Sequence, residues 1–169
     1  QCSNPQFGLP FNNYLGSLPQ SNTLNNTWAD FFITERLQPM VKLAMDGGYL
    51  DDKDVANFEK LYSKLPQFFP DDKPALLHGD LWSGNYLIGA DGKSYLMDPA
   101  VYYGHREMDI AMTLLFEYFA PEFYEAYNDV YPLQPNWRDR VALCNLYPLL
   151  AHVNLFGRGY AAQVKACLR

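Results

Sequence analysis

Positive charge is scarce in this sequence. Its 13 Lys and Arg residues are outnumbered by 19 Asp and Glu residues, which gives a formal net charge of −6 at pH 7. No run of Lys or Arg is long enough to form a basic face locally. Proteins that bind nucleic acids or anionic lipids need such a face to neutralise phosphates. The sequence therefore predicts no nucleic-acid partner and no membrane partner.

Cysteines and long apolar segments are also few. The three cysteines, Cys2, Cys144 and Cys167, stand far apart and show none of the paired spacings of zinc or redox sites. Unpaired thiols indicate a reducing compartment, so the predicted location is the cytoplasm. Every apolar run is far shorter than the roughly 20 residues of a membrane span. Residues 1–5 also lack the basic and apolar regions of a signal peptide.

The apolar residues that are present suffice for one folded domain. The chain has 169 residues, of which 49% are hydrophobic. Their spacing predicts helices over residues 27–47, 52–65, 108–119, 121–131, 136–156 and 160–168. Short apolar runs broken by turn residues predict small strands from Leu76 onward. The predicted fold class is α+β, mainly α, with a single domain over residues 1–169.

Several local signals refine this prediction. Thr27 begins a capping box, and Pro39 predicts a kink inside the first helix. The Asp-rich residues 51–54 are interpreted as a helix N-terminus, because no glycine stands where a calcium loop needs its turn. The first 24 residues are rich in Asn, Pro, Gly and Ser. They predict an ordered loop held by three aromatic residues, Phe7, Phe11 and Tyr14.

A β-hairpin is predicted around Asp91-Gly92, which lies between two apolar and aromatic runs and is typical of a two-residue turn. The register counted outward from this turn ends with Asn85 opposite Asp98. Directly opposed residues project to the same face with their Cβ atoms about 5 Å apart. A bulge at Gly89 would shift this register by one residue without separating the two groups far.

Oxygen ligands and a proton acceptor meet at the open end of this hairpin. The amide of Asn85 and the carboxylate of Asp98 suit Mg²⁺, which keeps several waters and takes further ligands from substrate phosphates. Asp80, on the turn before the hairpin, could accept the proton of an attacking hydroxyl. Each feature alone also occurs in a plain hairpin or a surface turn. Their combined spacing matches the kinase catalytic loop, in which His-Arg-Asp-Leu precedes a metal-binding Asn and a downstream Asp.

Longer motifs now point to a family. His-Gly-Asp-Leu-Trp-Ser-Gly-Asn at residues 78–85 is followed by Asp-Pro-Ala at 98–100, Gly-His-Arg-Glu-Met-Asp-Ile-Ala at 104–111 and Asn-Leu-Phe-Gly at 154–157. In this order they resemble the fructosamine kinase, or ketosamine-3-kinase, family, and Phe7-Gly8 with residues 12–16 adds to the likeness. The His-Gly-Asp, Asn and Asp pattern is shared with the aminoglycoside and choline phosphotransferases of the same protein-kinase-like superfamily. Residues 82–84 and 105–109 are what favour fructosamine kinases.

The resemblance implies roles for single residues. Asp80 would be the catalytic base, while Asn85 and Asp98 would bind the cofactor ATP through its Mg²⁺ ion. Trp82 would lie where the sugar-bearing substrate docks, because an indole face packs well on a sugar ring. Plain burial of Trp82 in the core is the alternative. His152, near the end of a long helix, would line the same substrate pocket.

Supporting roles are implied as well. Asp109 would accept hydrogen bonds from the backbone of the catalytic loop, as in kinase-like folds. His78 would hold that loop in shape as a neutral, buried histidine with a backbone partner. His105 could be no more than a solvated loop residue.

The reaction implied by the resemblance is ATP-dependent phosphorylation of the sugar 3-hydroxyl of a ketosamine. The products decompose and release the amine, so the implied role is deglycation repair on small or protein-bound glycated amines. The sequence lacks a Gly-rich loop, a Val-Ala-Ile-Lys-like strand, a helix bearing the paired Glu and a P-loop. The chain is therefore expected to be the C-terminal lobe of a protein-kinase-like fold, with a small hairpin carrying the catalytic loop and no ATP-gripping lobe.

Two other interpretations stay open. The same chemistry could serve another small alcohol, such as an aminoglycoside or choline, and the acidic surface would suit a cationic acceptor. The missing lobe could instead mean a non-catalytic binding lobe. The presence of Asp80, Asn85 and Asp98 together argues against loss of activity. The sequence gives no indication of the oligomeric state.

Overall fold

The computed structural model describes residues 4–116 and 119–168. Near the N-terminus, β1 (Asn13–Leu15) and β2 (Leu18–Gln20) form a tight antiparallel hairpin in which Leu15 pairs with Leu18. This hairpin lies inside the segment that the sequence predicted to be a loop. Its strands are only three residues long, which is why no alternating pattern was visible in the sequence.

The aromatic residues of this segment do not all hold it in place. Phe7 is buried, and its backbone exchanges two hydrogen bonds with that of Asn25. Phe11 and Tyr14, in contrast, are 60% and 64% exposed. The prediction of three anchoring aromatic side chains was therefore wrong for two of them, because backbone pairing supplies the order instead.

The first helix begins where the sequence predicted. The Thr27 hydroxyl oxygen accepts a hydrogen bond from an amide of the first turn, and α1 (Trp28–Phe31) follows. The chain continues through a π-helical segment (Phe32–Leu37) into α2 (Gln38–Asp46), with Pro39 in the first turn of α2. The wider π turns accommodate a proline that has no amide to donate and whose ring would collide with a regular preceding turn.

The Asp-rich segment is a helix N-terminus, as predicted. Asp51 caps α3 (Asp52–Tyr62) in a reciprocal capping box, in which the side chains of Asp51 and Asp54 each accept from the other residue's backbone amide at 3.0 Å. Both carboxylates are used by the helix cap, so they are not arranged as a calcium loop. The helix ends at Tyr62, three residues before the predicted end, and a 3₁₀ turn (Leu65–Gln67) follows.

Four further strands form two small antiparallel sheets. They are β3 (Ala75–Leu77), β4 (Tyr86–Ile88), β5 (Ser94–Leu96) and β6 (Tyr102–Gly104). Strand β3 pairs with β6, and β4 pairs with β5 in the hairpin that the sequence predicted. The catalytic-loop motif lies between β3 and β4, so its position is fixed by both sheets.

The second half of the described chain is helical. Its helices are α4 (Glu107–Met112), α5 (Pro121–Val130), α6 (Val141–Cys144), α7 (Leu146–Phe156) and α8 (Ala161–Cys167). The predicted helix over 108–119 ends at residue 112 and continues as turns, and residues 117–118 lie outside the described residues. The mixture of helices and small antiparallel sheets agrees with the predicted class.

The predicted long helix over residues 136–156 is interrupted. A 3₁₀ turn (Trp137–Arg140) precedes α6, and α6 ends at Asn145 before α7 begins. The Asn145 side chain is buried and donates to the Ala111 carbonyl oxygen at 3.0 Å. Periodicity could not predict this break, since the partner lies on another helix. The end of α7 at Gly157, with φ of 87°, is as predicted.

A buried arginine joins the N-terminal segment to the core, where α2 packs against α7. Arg36 is 0% exposed, and its guanidinium lies 4.1 Å from the ring centroid of Tyr102 and 4.5 Å from that of Phe31. It donates to the Asn22 side-chain oxygen at 2.7 Å and to the Ser21 carbonyl oxygen. Aromatic faces and carbonyl oxygens thus replace water around this cation.

Among the described residues, no helix is both long and apolar enough to cross a membrane. Cys144 and Cys167 are free thiols. Cys2 lies outside the described residues.

Candidate active site

The catalytic-loop backbone is held by one carboxylate. Asp109, on α4, accepts hydrogen bonds from the His78 amide at 2.7 Å and the Gly79 amide at 2.9 Å. These are the contacts that the resemblance implied for Asp109. Desolvation raises the pKa of its carboxyl, and the two amide hydrogen bonds oppose that rise. The turn that carries Asp80 is therefore tied to a helix rather than left as a free surface loop.

Gly79 is required by the local geometry. Its φ is +83°, and a Cβ atom at this position would lie 2.1 Å from the Ala100 carbonyl oxygen. Real atoms do not approach so closely, and the left-handed backbone also disfavours other residues. The neighbouring His78 carbonyl accepts from the Ala100 amide at 2.9 Å. The catalytic loop and the chain after Asp98 are thus in direct backbone contact.

His78 connects the same two segments through its side chain. Its Nδ1 accepts from the Asp80 amide at 3.3 Å, and its Nε2 lies 3.0 Å from the Met97 carbonyl oxygen. These contacts fit the neutral ring with the proton on Nε2, because Nδ1 acts as an acceptor. The ring is half-buried rather than fully buried. Its contacts support the positioning role that was predicted for His78.

Asp80 and Asn85 form the centre of the site. The Asn85 side-chain nitrogen donates to the Asp80 backbone oxygen and to its Oδ2, both at 2.9 Å. Burial raises the pKa of the Asp80 carboxyl, and the negative charge of Asp98 adds to the rise. The hydrogen bond from Asn85 and the proximity of His152 and His78 act in the opposite direction. A carboxylate with a raised pKa is a better proton acceptor than an ordinary aspartate.

The hairpin register differs by one residue from the prediction. Tyr86 pairs with Leu96, and the Met97 amide donates to the Asn85 carbonyl oxygen at 2.9 Å. Asn85 is therefore opposite Met97, and the predicted direct opposition of Asn85 and Asp98 was wrong. Asp98 is the next residue, with φ of 51°, where the chain turns away from the strand.

The turn chemistry explains the shift. The Gly89 amide donates to the Lys93 carbonyl oxygen at 2.8 Å, which leaves a three-residue loop over 90–92. Only Gly92 in this loop has a positive φ, at 75°. A two-residue turn would have forced Asp91 into the left-handed region as well. Asp91 instead uses its carboxylate to accept from the Lys93 amide at 3.1 Å and from the Tyr95 hydroxyl at 2.9 Å.

The donor set fits a magnesium ion. Because the Asn85 nitrogen is used by Asp80, its Oδ1 is the side-chain atom that can serve as a metal ligand. Asp98 is exposed and close enough for its charge to act on Asp80. The described part of the chain contains no cluster of three or more His, Cys, Asp or Glu side chains suited to a metal. Such a sparse set suits Mg²⁺, which is usually bound by one or two protein groups together with water and substrate phosphate.

An aromatic wall lies beside Asp80. The Phe116 ring is 6.1 Å from that of Trp82 and 4.7 Å from that of His152, measured between centroids, and Tyr160 lies 5.0 Å from His152. Trp82 is half-buried, so it is neither a core residue nor a fully solvated one. Sequence reasoning named Trp82 and His152 but missed Phe116 and Tyr160. These residues come from separate elements, and no local pattern in the sequence links them.

His152 has a defined ring orientation in this wall. Its Nδ1 lies 2.7 Å from the Pro148 carbonyl oxygen, one helical turn earlier on α7. A carbonyl oxygen can only accept, so Nδ1 carries a proton and Nε2 is left for other contacts. His152 is close enough to Asp80 to oppose the rise in the pKa of its carboxyl, and its predicted role in substrate binding stays a prediction.

His105 is not a solvated loop residue. It is 0% exposed, and its ring lies 5.2 Å from Phe69 and 6.0 Å from Trp28 between centroids. Burial lowers the pKa of His105, which favours the neutral ring. The prediction was wrong because the tertiary packing of Trp28 and Phe69 encloses a segment that looks polar in the sequence.

The N-terminal hairpin braces the segment after Asp98. The Asn13 side chain donates to the Val101 carbonyl oxygen at 2.8 Å, and the Gln20 side chain donates to the Ala100 carbonyl oxygen at 3.1 Å. The Tyr147 hydroxyl donates to the Gln20 side-chain oxygen at 2.8 Å. Sequence reasoning recognised the Asn-rich motif as part of the family likeness but gave it no structural role.

This arrangement defines a class of protein. A desolvated aspartate is followed by a partner Asn, then a hairpin and a second Asp, while a helix-borne Asp holds the loop backbone. These are the parts of the phosphotransfer site of protein-kinase-like enzymes.

Comparison with known proteins gives the family. The sequence profile described as fructosamine kinase matches residues 1–169. The chain is 41% identical over 170 residues to a "probable ketoamine kinase" of Enterococcus faecium and 43% identical over 165 residues to one of Lactiplantibacillus plantarum. This chain belongs to the fructosamine kinase family.

The fold agrees with solved members of the family. Two crystal structures of proteins named "putative fructosamine-3-kinase" superpose on the chain. The one from Thermobifida fusca has a TM-score of 0.93 at 39% identity, and the one from Haemophilus somnus has a TM-score of 0.85 at 30% identity. They match 99% and 98% of this chain but only 58% and 56% of their own chains.

The curated relatives show the same difference in length. The alignments cover 99% and 96% of this chain but 61% and 59% of the Enterococcus and Lactiplantibacillus proteins. The chain therefore spans about three fifths of the length of these relatives.

Proposed function

We propose that this chain is the catalytic lobe of an ATP-dependent kinase that phosphorylates the sugar 3-hydroxyl of fructosamines and other ketosamines. The observation that carries the proposal is the environment of Asp80. Its carboxylate is desolvated, hydrogen-bonded by Asn85, close to Asp98 and flanked by an aromatic wall. The family membership and the names of the relatives support a sugar-amine acceptor.

Asp80 acts as the proton acceptor in this proposal. Asn85 engages Oδ2 of its carboxylate, so one carboxylate oxygen is held in place. The proposal assigns the other oxygen, Oδ1, to the substrate hydroxyl. Accepting that proton as the hydroxyl attacks makes the oxygen a better nucleophile, and a positioned base contributes roughly 10² to 10⁴ in rate.

Asn85 and Asp98 are the residues that would hold the magnesium ion. When bound, Mg²⁺ and ATP supply the transferable phosphoryl group and neutralise its charge. The chain's own contribution is to keep two oxygen ligands next to the base. The backbone contacts at Gly79 and the brace from Asn13 and Gln20 keep them there.

The aromatic wall is the proposed substrate surface. The faces of Trp82 and Phe116 suit the apolar face of a sugar, while Nε2 of His152 is available to a hydroxyl. Because His152 acts electrostatically on Asp80, a substrate on this wall would be near the base. Trp82 and His152 are therefore proposed as substrate-binding residues.

The outer face of the hairpin suggests where an ATP-gripping lobe would sit. On one face of the hairpin, Ile88 and Leu96 are each 60% exposed. An isolated two-stranded hairpin is marginally stable in water, so such a surface is expected to be covered. We propose that the part of the relatives that this chain does not span supplies the cover and grips ATP.

The cellular role follows from the proposed reaction. Phosphorylated ketosamines decompose and free the amine, which makes the proposed process deglycation repair. The free thiols and the absence of a basic face fit a cytoplasmic enzyme acting on small or protein-bound glycated amines.

The test uses the full-length protein with ATP and Mg²⁺. We expect phosphorylation of a fructosamine such as a glycated amino acid, with little activity toward aminoglycosides or choline. The Asp80→Asn variant should lose roughly 10² to 10⁴ in kcat, because the base is removed at nearly constant shape. Asp129→Asn, on the exposed part of α5, is the matched control and should retain the wild-type rate.

The outcomes separate the alternatives. Preference for choline or an aminoglycoside would overturn the acceptor but keep the phosphotransfer chemistry. An unchanged rate in Asp80→Asn would remove Asp80 from the mechanism. No ATP turnover with any of these acceptors would favour a non-catalytic binding lobe.

A further inference from the structure

A groove lies outside the set of residues that form the proposed active site. It has a volume of about 610 Å³ and runs between the end of α3 and the segment that contains α6. Its lining residues do not include Asp80, Asn85 or Asp98, and they do not include Trp82 or His152. The groove is therefore separate from the proposed active site.

Part of the groove lining is apolar. Leu61 of α3, Leu143 of α6 and Phe68 line it, and Phe68 is 45% exposed. The exposed part of the Phe68 ring and the two leucine side chains can therefore contact an apolar group of a ligand. The volume lies within the range of about 300–1,000 Å³ that is typical of small-molecule sites.

Two lysines that line the groove have no ion-pair partner among the described residues. Lys60 lies in the last turn of α3, and Lys64 follows two residues after the end of that helix. Arg140 also lines the groove, but its guanidinium is held by Glu107 at 2.6 Å through two nitrogen atoms. The carboxylate that lines the groove belongs to Asp139.

This charge pattern is the reverse of the pattern of the whole chain. The chain has a formal net charge of −6, yet the described residues that line the groove include Lys60, Lys64 and the paired Arg140 beside one carboxylate, that of Asp139. Another lysine does form an ion pair with a residue of α3: Lys165 of α8 lies 2.7 Å from the Asp54 carboxylate. Lys60 and Lys64 are therefore the cationic groups most available to a ligand on this face.

We propose that this groove binds a small organic anion with an apolar body. Its carboxylate, sulfonate or phosphate group contacts Lys60 and Lys64, and its apolar part packs against Leu61, Phe68 and Leu143. A charged head fixes the orientation, while the apolar contacts supply most of the affinity. The site is independent of the phosphotransfer chemistry.

The test compares two probes on the full-length protein by fluorescence titration. 8-Anilinonaphthalene-1-sulfonate has an anionic head, whereas N-phenyl-1-naphthylamine has the same aromatic body without charge. We expect one sulfonate probe to bind per chain. The Lys60→Gln/Lys64→Gln double variant should bind the sulfonate probe with roughly tenfold lower affinity, because two partly solvated charges are lost. Its affinity for the neutral probe should not change. Phe68→Ala should weaken both probes.

The control variant is Lys53→Gln, which removes an exposed lysine from the same helix but outside the groove. It should bind both probes like the wild type. The proposal is overturned if the lysine pair is without effect on the sulfonate probe, or if Lys53→Gln weakens it equally. Binding of the sulfonate probe to the wild type can also be followed by the NMR chemical shifts of the backbone amides. Shift changes centred on the β4–β5 hairpin rather than on Leu61 and Leu143 would also overturn the proposal.

Discussion

Asp80, the proposed catalytic base, is expected to reduce the stability of the fold when it is ionised. Burial raises the pKa of its carboxyl in the folded protein, so the ionised group is less favourable there than in the unfolded chain. The Asn85 hydrogen bond reduces this cost without removing it. Among the described residues, Asp80 forms no ion pair with a lysine or arginine, and a partly buried carboxylate of this kind is typical of a catalytic base.

A stability measurement tests this environment directly. In metal-free buffer at pH 7 we expect Asp80→Asn to be at least as stable as the wild type. The advantage should shrink as the pH falls through the raised pKa of Asp80 and vanish below about 3.9, the ordinary value, because the wild-type carboxyl is then protonated in both states. Urea unfolding across this pH range measures it. A variant markedly less stable at pH 7 would contradict the assigned environment.

Gly79 is a second residue whose identity is dictated by its surroundings. Gly79→Ala should destabilise the protein by at least about 2 kcal/mol, because it adds left-handed strain and a collision with the Ala100 carbonyl. Gly48→Ala is the matched control. Gly48 has a similar φ of +69° but open space where a Cβ would lie, so only the conformational cost of about 1 kcal/mol is expected.

Chemical denaturation of both variants distinguishes the two costs. Equal losses of stability in Gly79→Ala and Gly48→Ala would mean that the approach of Gly79 to Ala100 is not a tight contact. That result would also weaken the argument that the catalytic loop is fixed by the segment after Asp98.

At the scale of secondary-structure elements, short connections decide which side chains meet. The β4–β5 hairpin uses a three-residue loop ending in Gly92, and this choice moves Asp98 one position beyond Asn85. Asn85 and Asp98 are therefore not directly opposed, and their role as metal ligands stays a prediction. The left-handed φ of Asp98 then turns the chain toward its contact with the catalytic loop.

Helix α4 is joined to the following helices by a largely buried ion pair. The Glu107 side chain is 2% exposed and that of Arg140 is 12% exposed. Glu107→Ala should cost roughly 3–5 kcal/mol of folding free energy, because it leaves the Arg140 charge unpaired. Replacing both residues by methionine should recover most of this loss, since no uncompensated charge remains.

Thermal and urea unfolding of the single and double variants measures this coupling. The arrangement would be disproved if the double variant were less stable than Glu107→Ala alone. Since Asp109 lies on the same short helix, a loosened α4 should also weaken its hold on the catalytic loop.

At the scale of the whole molecule, the exposed hairpin and the length of the relatives lead to a common expectation. Residues 1–169 alone should bind Mg-ATP weakly and lose at least roughly 10² in kcat/KM relative to the full-length enzyme, because positioning of the phosphates supplies much of the catalysis. Calorimetric titration with Mg-ATP and steady-state assays measure this. Robust fructosamine phosphorylation by residues 1–169 would contradict it.

A substitution on the hairpin surface tests whether a further lobe covers the hairpin. Ile88→Lys should make residues 1–169 more soluble, because it removes apolar surface from the exposed hairpin. In the full-length protein the same change should reduce stability and activity, since the lysine would face the proposed covering lobe. Identical effects in both proteins would argue that nothing covers the hairpin.

Several helix ends could be predicted from the sequence alone, because the capping residues that define them are local in the chain. The Thr27 cap, the Asp51 capping box and the glycine after α7 each depend on residues within one helical turn, so they appeared where predicted. The spacing of Asp80, Asn85 and Asp98 pointed to a candidate site, and the structure brings Asn85 into hydrogen-bond contact with Asp80. The roles of these three residues stay predictions.

Only the tertiary structure decided the features that depend on partners far along the chain. The break at Asn145, the burial of His105 and the aromatic wall around Phe116 arise from contacts between residues tens of positions apart. The one-residue shift of the hairpin depended on which of two turn geometries the backbone adopts. Local capping residues determine where several helices begin and end, whereas contacts between distant side chains determine where a helix is interrupted and which polar groups are enclosed.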